Sequence, residues 1–263
     1  MSNMLKIHPI PAFNDNYIWC IHNDQYAYVV DPGDHQPVVD FLSEQNLNLS
    51  GILITHHHAD HIGGVQALIE FSAAQNNSTL PIWGPNTARF PFVTHPVVEQ
   101  DEFVLEKVGV TFLVMEVPGH TLDHIAYHAD IGLFCGDTMF SAGCGRLFEG
   151  DAEQMQTNFD RFRALPDTLS VYCTHEYTLA NIAFAQAVWS TNKTLDKYSN
   201  WATEQRAKGF PTLPSTIAIE KNINPFMNTG ASDLRDVLAQ QFNEPMTSDV
   251  AAFAALRKWK DTF

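Results

Sequence analysis

No stretch of this 263-residue chain approaches the roughly 20 consecutive apolar residues that a bilayer-crossing helix requires, so no membrane-spanning segment is expected. The opening Met1-Ser2-Asn3-Met4-Leu5-Lys6 lacks a basic stretch followed by a long apolar one. No secretory signal is read there, and a cytoplasmic location is expected. Cysteine is scarce: Cys20, Cys135, Cys144 and Cys173 are scattered without CxxC spacing, which reads as reduced packing residues rather than disulfides. Positive charge is also scarce, with 15 Lys and Arg against 30 Asp and Glu and a formal net charge of -15. A nucleic-acid surface needs clustered basic residues and is excluded on that ground. Repeats and low-complexity tracts are absent from the sequence.

The length exceeds one average domain and permits a large core with an appendage. Short apolar strands alternate with helices as far as His175. The aromatic and β-branched run Tyr26-Ala27-Tyr28-Val29-Val30 predicts a strand that the turn residues Asp31-Pro32-Gly33 close. Residues 37–47 read as a helix and 52–54 as a buried strand. Beyond Glu176 the periodicity turns helical over 179–189, 195–208, 232–242 and 248–259, with Ser232 and Ser248 as expected N-caps. The expectation is an α/β sandwich over residues 1–174 followed by a mostly helical domain over 175–263.

What the chain has in abundance is metal donors in one place. Thr55-His56-His57-His58-Ala59-Asp60-His61 packs four imidazoles and a carboxylate together, a composition that serves no apolar core. If the chain is extended as it leaves Gly51-Ile52-Leu53-Ile54, side chains two apart share a direction, so His56 and His58 can hold one ion while His57 faces away. Asp60 and His61 are then left for a second ion, at the entry of a helix marked by Val65, Leu68 and Ile69. Gly63-Gly64 would let backbone pass close to the ions.

Catalytic sites of the zinc type use about three protein ligands per ion plus water, so further donors are needed. His120, Asp137 and His175 each follow a strand-like run, and of these only the Asp137 carboxylate has two oxygens with which to bridge two ions. His8, His22, His35, His95 and His128 lack such company and read as structural or solvent-facing. His124 reads as a packing or supporting residue.

In order along the chain, THHHADHIGG, PGHT, CGD and THEYT resemble the metallo-β-lactamase superfamily, and within it the glyoxalase II (hydroxyacylglutathione hydrolase) family. The resemblance extends to Pro11-Ala12-Phe13-Asn14-Asp15-Asn16-Tyr17, to Asp31-Pro32-Gly33-Asp34, to the loop Gly143-Cys144-Gly145-Arg146-Leu147-Phe148-Glu149-Gly150 and to the terminal Arg257-Lys258-Trp259-Lys260-Asp261-Thr262-Phe263. It implies an αββα sandwich with a helical C-terminal substrate-binding domain. It further implies that His56, His58 and His120 hold the first divalent ion, Asp60, His61 and His175 the second, and that Asp137 bridges them. Zinc is the expected metal, with iron and manganese as alternatives.

The same resemblance places Arg146, Phe148, Tyr177, Arg257 and Lys260 on a glutathione thioester. Phe148 stands where relatives carry a tyrosine, which removes a hydroxyl contact, and Asn228 stands where some carry an arginine. The implied reaction is hydrolysis of S-D-lactoylglutathione to glutathione and D-lactate, the second step of methylglyoxal detoxification, by a monomer. Two cations about 3.5 to 4 Å apart can hold a bridging water of pKa near ~7, and the resulting hydroxide would attack the thioester carbonyl, with Asp60 and Asp137 the catalytic carboxylates. Three alternatives stay open on the residues alone: another hydrolase of this fold, a mononuclear iron persulfide dioxygenase, and a noncatalytic metal-binding module. An acidic chain must also concentrate positive charge to hold an anionic thioester, and Arg257, Lys258 and Lys260 are the expected concentration.

Overall fold

A computed structural model describes residues 4–75 and 79–263. Residues 1–3, which open the segment read for a targeting signal, lie outside the described residues with 76–78. The chain divides into two compact units, one made of everything up to Glu116 together with Asp123–Gly136, the other of Val117–Leu122 and Asp137–Phe263.

In the first unit, strands β1 (Lys6–Ala12), β2 (Asn16–His22), β3 (Tyr26–Val30), β4 (Asn48–Leu53), β5 (Ile82–Pro85) and β6 (His95–Val97) form one sheet in that order. The first three run antiparallel, whereas β3 to β6 are parallel. Parallel neighbours need crossover connections. Helix α1 (Gln36–Gln45) supplies the one between β3 and β4, and α2 (Ala59–Ile62) with α3 (Val65–Ala74) lies between β4 and β5. Pro37 in the first turn of α1 presets the helical φ, and Asn46 ends the helix in the left-handed conformation at φ 53°. Val38 and Leu42, four apart, bury one face of α1 beside Val65 and Leu68 of α3, against Ile18, Val29, Ile52 and Ile54. Every residue of β2 is buried, which is why its sequence NYIWCIH shows no clean alternation.

The rest of the unit is an antiparallel meander of β7 (Glu102–Leu105), β8 (Val110–Glu116), β9 (Ile125–Ala129) and β10 (Gly132–Gly136). Here the period of two is explicit as far as Val114: Val110, Phe112 and Val114 are buried while Thr111 is exposed and Leu113 half-buried, and the pattern ends where Met115 is buried and Glu116 exposed. Phe112 lies edge-on to Tyr127 and Phe134, at ring separations of 6.1 and 5.7 Å. Regular strand–helix alternation, expected as far as His175, thus holds between β3 and β5 and gives way to strands alone over β7 to β10.

The second unit contains the hairpin β11 (Met139–Phe140) and β12 (Gly143–Cys144), helix α4 (Ala152–Arg163), the pair β13 (Ser170–Cys173) and β14 (Ser215–Thr216), and helices α5 (Thr178–Val188), α6 (Lys193–Ala207), α7 (Ile217–Ile223), α8 (Ser232–Phe242) and α9 (Asp249–Lys260). Phe159, Phe184, Phe226 and Phe253 are all fully buried and pack with ring separations of 5.0 to 6.3 Å. Helix α4 opens on a reciprocal cap in which Asp151 accepts from the Gln154 backbone and Gln154 from the Asp151 backbone. Ser248 caps α9 as expected, accepting from Ala251 N at 3.1 Å. Ser232 does not cap α8: Ala231 holds that position and Ser232 is the first helical residue.

The glycines near the histidine cluster serve backbone packing. A Cβ on Gly33 would lie 1.8 Å from the Asp60 carbonyl oxygen, and one on Gly64 would lie 2.6 Å from the Pro32 oxygen. These bare positions seat α2, with Asp60 and His61, directly on the turn that ends β3. The four cysteines are free and buried, and no helix among the described residues is long and apolar enough to cross a membrane.

Candidate metal centre

His56 and His61 of the cluster are each oriented by an anchor on one ring nitrogen. Asp31, 2% exposed at the end of β3, accepts from Thr55 N at 2.7 Å, from Thr55 Oγ1 at 2.6 Å and from His61 Nδ1 at 2.9 Å. Because the single Thr55 hydroxyl hydrogen goes to Asp31, Thr55 Oγ1 acts as the acceptor toward His56 Nδ1, 3.0 Å away. Both imidazoles therefore carry their hydrogen on Nδ1 and present Nε2 as a lone pair. In the second unit His120 Nδ1 donates to the Arg146 carbonyl at 2.8 Å, with the same result. A hydrogen-bond acceptor behind the imidazole is the usual support of a metal-binding histidine.

The presented atoms face other donors. His56 Nε2 lies 3.1 Å from His58 Nδ1, and His61 Nε2 lies 3.7 Å from Asp60 Oδ2. In the second unit His120 Nε2 is 3.4 Å from Asp137 Oδ2, and His175 Nε2 is 3.3 Å from Asp137 Oδ1. A charge-assisted hydrogen bond would be shorter, at about 2.7 to 2.9 Å. Metal bonds of about 2.0 to 2.1 Å at a tetrahedral angle separate neighbouring ligand atoms by about 3.3 Å. The four spacings bracket that edge length, and the donor chemistry of imidazole and carboxylate fits a divalent ion. Asp137 turns a different oxygen to each of its two histidines.

Neighbours hold these donors in place. Asn16 Nδ2 donates to Asp60 Oδ2 at 3.1 Å, and His124, 1% exposed, stacks on His56 at 4.5 Å with 15° between the rings. His57 points elsewhere, with Nδ1 2.9 Å from the Asp123 carboxylate, as the alternation predicts. Tyr177 stacks on His175 at 4.7 Å and 3°, and Phe148 sets its edge against His120 at 5.3 Å. A Cβ on Gly145 would fall 1.9 Å from the Asp137 carbonyl oxygen, so only glycine lets the 143–150 loop close over that carboxylate's backbone. Asp31 is also within reach of His56 and His61 as a donor. Its oxygens are taken by Thr55 and His61 Nδ1, which makes it the anchor of the cluster.

Sequence spacing singles out the histidines and aspartates of these groups, but not the anchors Asp31, Thr55 and Asn16. Their only signal was position: Asp31 directly follows β3 and Thr55 lies two residues past β4, where a polar side chain is carried to the sheet edge.

The residues expected on a thioester arm lie in the second unit in unequal settings. Arg146 is exposed, with Nε 3.4 Å from Asp261 Oδ1. Arg257 is buried, donating to the Cys144 carbonyl at 2.9 Å and to Asp261 at 2.9 and 3.1 Å. Lys260 Nζ donates to Asn181 Oδ1 at 2.6 Å and lies 5.2 Å from the Phe184 ring centre. Burial, and after it the charge of Arg257, holds the Lys260 ammonium down to about 8. Burial pushes the Cys144 thiol up despite the adjacent Arg257. Asn228 turns inward, donating to the Lys221 and Asn224 carbonyls.

Two family models together match most of the chain: the metallo-beta-lactamase superfamily over residues 13–175 and the hydroxyacylglutathione hydrolase C-terminus over residues 176–263. The chain is similar to a hydroxyacylglutathione hydrolase of Shewanella halifaxensis, 48% identical over 262 residues, which are 99% of this chain and 100% of that protein. It is similar in the same way to one of Aliivibrio salmonicida, at 49% identity over 99% of this chain and 100% of the relative. Among solved structures, ETHE1 from Myxococcus xanthus superposes with a TM-score of 0.62 at 26% identity, over 98% of this chain and 99% of that one.

Replacing Asp31 by Asn removes the charge behind His61 and should weaken metal retention by about 10- to 100-fold, as loss of such a supporting group typically does. Metal content after titration with a competing chelator measures this, and wild-type retention in the variant would show that Asp31 does not support the cluster.

Proposed function

The chain belongs to the hydroxyacylglutathione hydrolase family of the metallo-beta-lactamase superfamily, and we propose that its histidine and aspartate donors serve a pair of divalent cations in thioester hydrolysis. The activity is cleavage of a 2-hydroxyacylglutathione, with S-D-lactoylglutathione as substrate, to glutathione and a 2-hydroxy acid. The observation that carries the proposed centre is Asp137, whose two oxygens face two different imidazole nitrogens at 3.4 and 3.3 Å.

In this reading His56, His58 and His120 would hold one ion, Asp60, His61 and His175 would hold the other, and Asp137 would serve both. Divalent ions so held supply Lewis acidity at the thioester carbonyl and lower the pKa of coordinated water toward ~7. Zinc suits the imidazole-rich set, and iron or manganese would be held by the same atoms. Asp60, fixed by Asn16, orients the nucleophile with its carboxylate. Thiolate is a good leaving group, so no separate general acid is required. Arg146, Tyr177, Arg257 and Lys260 bind and orient the glutathionyl arm, which lowers the entropic part of the barrier. Phe148 offers that arm an apolar edge without a hydroxyl.

Two further readings accompany this one. The division into a catalytic domain over 1–174 and a substrate-binding domain over 175–263 is supported by the two family models, which meet at residues 175 and 176. A monomer is proposed, since one chain carries the complete donor set.

Metal-analysed protein should hydrolyse S-D-lactoylglutathione, followed by loss of thioester absorbance, with about two equivalents of metal per chain and no turnover of a β-lactam. A single equivalent of iron with oxygen uptake on glutathione persulfide would instead establish a dioxygenase. Lys260 binds an anion only while protonated, so KM should rise as pH passes through about 8 while kcat holds. The sign is fixed because a lowered lysine pKa brings charge loss into this range. Lys260→Arg, whose charge persists above pH 12, should flatten that rise. Lys260→Ala should raise KM far more than it lowers kcat at neutral pH. An unchanged KM in the alanine variant would remove Lys260 from the binding surface.

A further inference from the structure

The basic cluster at the end of α9 has a carboxylate in its midst. Asp261, which caps that helix, accepts at a single oxygen from Arg257 Nε at 3.1 Å and from Arg257 Nη2 at 2.9 Å, and Arg146 Nε lies 3.4 Å from the same oxygen. Two guanidinium groups thus converge on one aspartate as they would on a carboxylate of a ligand. In a chain of net charge -15 that must hold an anionic thioester, a further negative charge at this spot works against binding.

The two arginines are not held alike. The Arg257 side chain is 7% exposed and is also tied to the Cys144 carbonyl at 2.9 Å, so it keeps its place without Asp261. The Arg146 side chain is 57% exposed and meets Asp261 at a long 3.4 Å, the kind of surface pair that contributes little and exchanges readily. The Asp261 side chain is itself 39% exposed, so solvent and solutes reach it.

Resting on the glutathione-thioester reading, we infer that Asp261 is a specificity-setting residue, an internal carboxylate that occupies Arg146 until a carboxylate of the substrate displaces it. Arg257 stays with Asp261 throughout, and Arg146 is the group that changes partner. The competition weakens the hold on every ligand carrying the glutathionyl carboxylates, including the glutathione product. Asp261 therefore favours product release at the expense of substrate affinity.

Asp261→Asn retains shape and an oxygen acceptor for Arg257 while deleting the charge. KM for S-D-lactoylglutathione and the inhibition constant of glutathione should both fall about threefold to tenfold at low ionic strength, the effect of one charge a few ångströms away at a surface. KM for the uncharged thioester S-lactoyl-N-acetylcysteamine should stay the same, and the gain should vanish in an Arg146→Gln background. Asp261→Ser, with the same expectation, covers the case of an unstable asparagine variant. Calorimetric titration with glutathione supplies a readout independent of turnover. Tighter glutathione binding by the variant in a protein that hydrolyses no glutathione thioester upholds this inference and refutes the hydrolase reading. Normal hydrolysis with unchanged or weaker binding by the variant, or an equal change for the charged and uncharged thioesters, overturns the inference alone. A wild-type protein that neither hydrolyses the thioester nor binds glutathione overturns both.

Discussion

The proposed metal centre depends on the posture of one carboxylate. Asp137 directs Oδ2 to His120 and Oδ1 to His175 at spacings too long for a strong hydrogen bond and right for adjacent ligands of a metal. That posture is imposed from several sides. Asp137 follows β10 without an intervening residue, the loop through Gly145 closes on its carbonyl, and His120 is held from behind by the Arg146 backbone. The loop that fixes His120 is thus the loop that carries Arg146. The His120 anchor and the proposed thioester-binding Arg146 are joined through three consecutive residues, Cys144, Gly145 and Arg146.

Preorganisation of the histidines follows the same logic. An imidazole is a ligand only through an unprotonated nitrogen, so a protein that binds metal must decide where each ring hydrogen resides. Asp31 decides it twice, directly for His61 and through the Thr55 hydroxyl for His56. The arrangement is compact because Asp31, Thr55 and His56 lie at the exits of β3 and β4, which pair side by side in one sheet, and His61 follows in α2.

The legible part of this design was whatever depends on local spacing. The two-residue step from His56 to His58 and the Ser248 cap are short-range consequences of backbone geometry, and each has its counterpart in the structure. What depends on the chain returning to itself was not legible. Asp31 reads as a turn residue until β4 brings Thr55 and His61 beside it. Gly63 and Gly64 read as room for backbone to pass close to ions, and their function is room for the Gly33 and Pro32 backbones. Helix α4 went unread because its mean hydropathy is low and its buried face includes Gln156 and Asn158 with its aromatics. Ser232 matched the composition of a cap, yet the helix begins one residue earlier than its hydroxyl could serve.

An acidic enzyme acting on an acidic substrate must place its few cations with care. Arg257 is spent on tying α9 to the hairpin of β11 and β12, Lys260 is partly discharged by burial, and Arg146 alone of the three is well exposed. The central claim, however, is the shared carboxylate. It is tested most directly by anomalous diffraction from crystals of the metal-loaded protein, recorded across the absorption edge of the bound metal. Two peaks about 3.5 to 4 Å apart, each about 2.0 to 2.2 Å from a different oxygen of Asp137, are predicted. A single peak, or two ions with Asp137 bound to only one of them, would contradict the account.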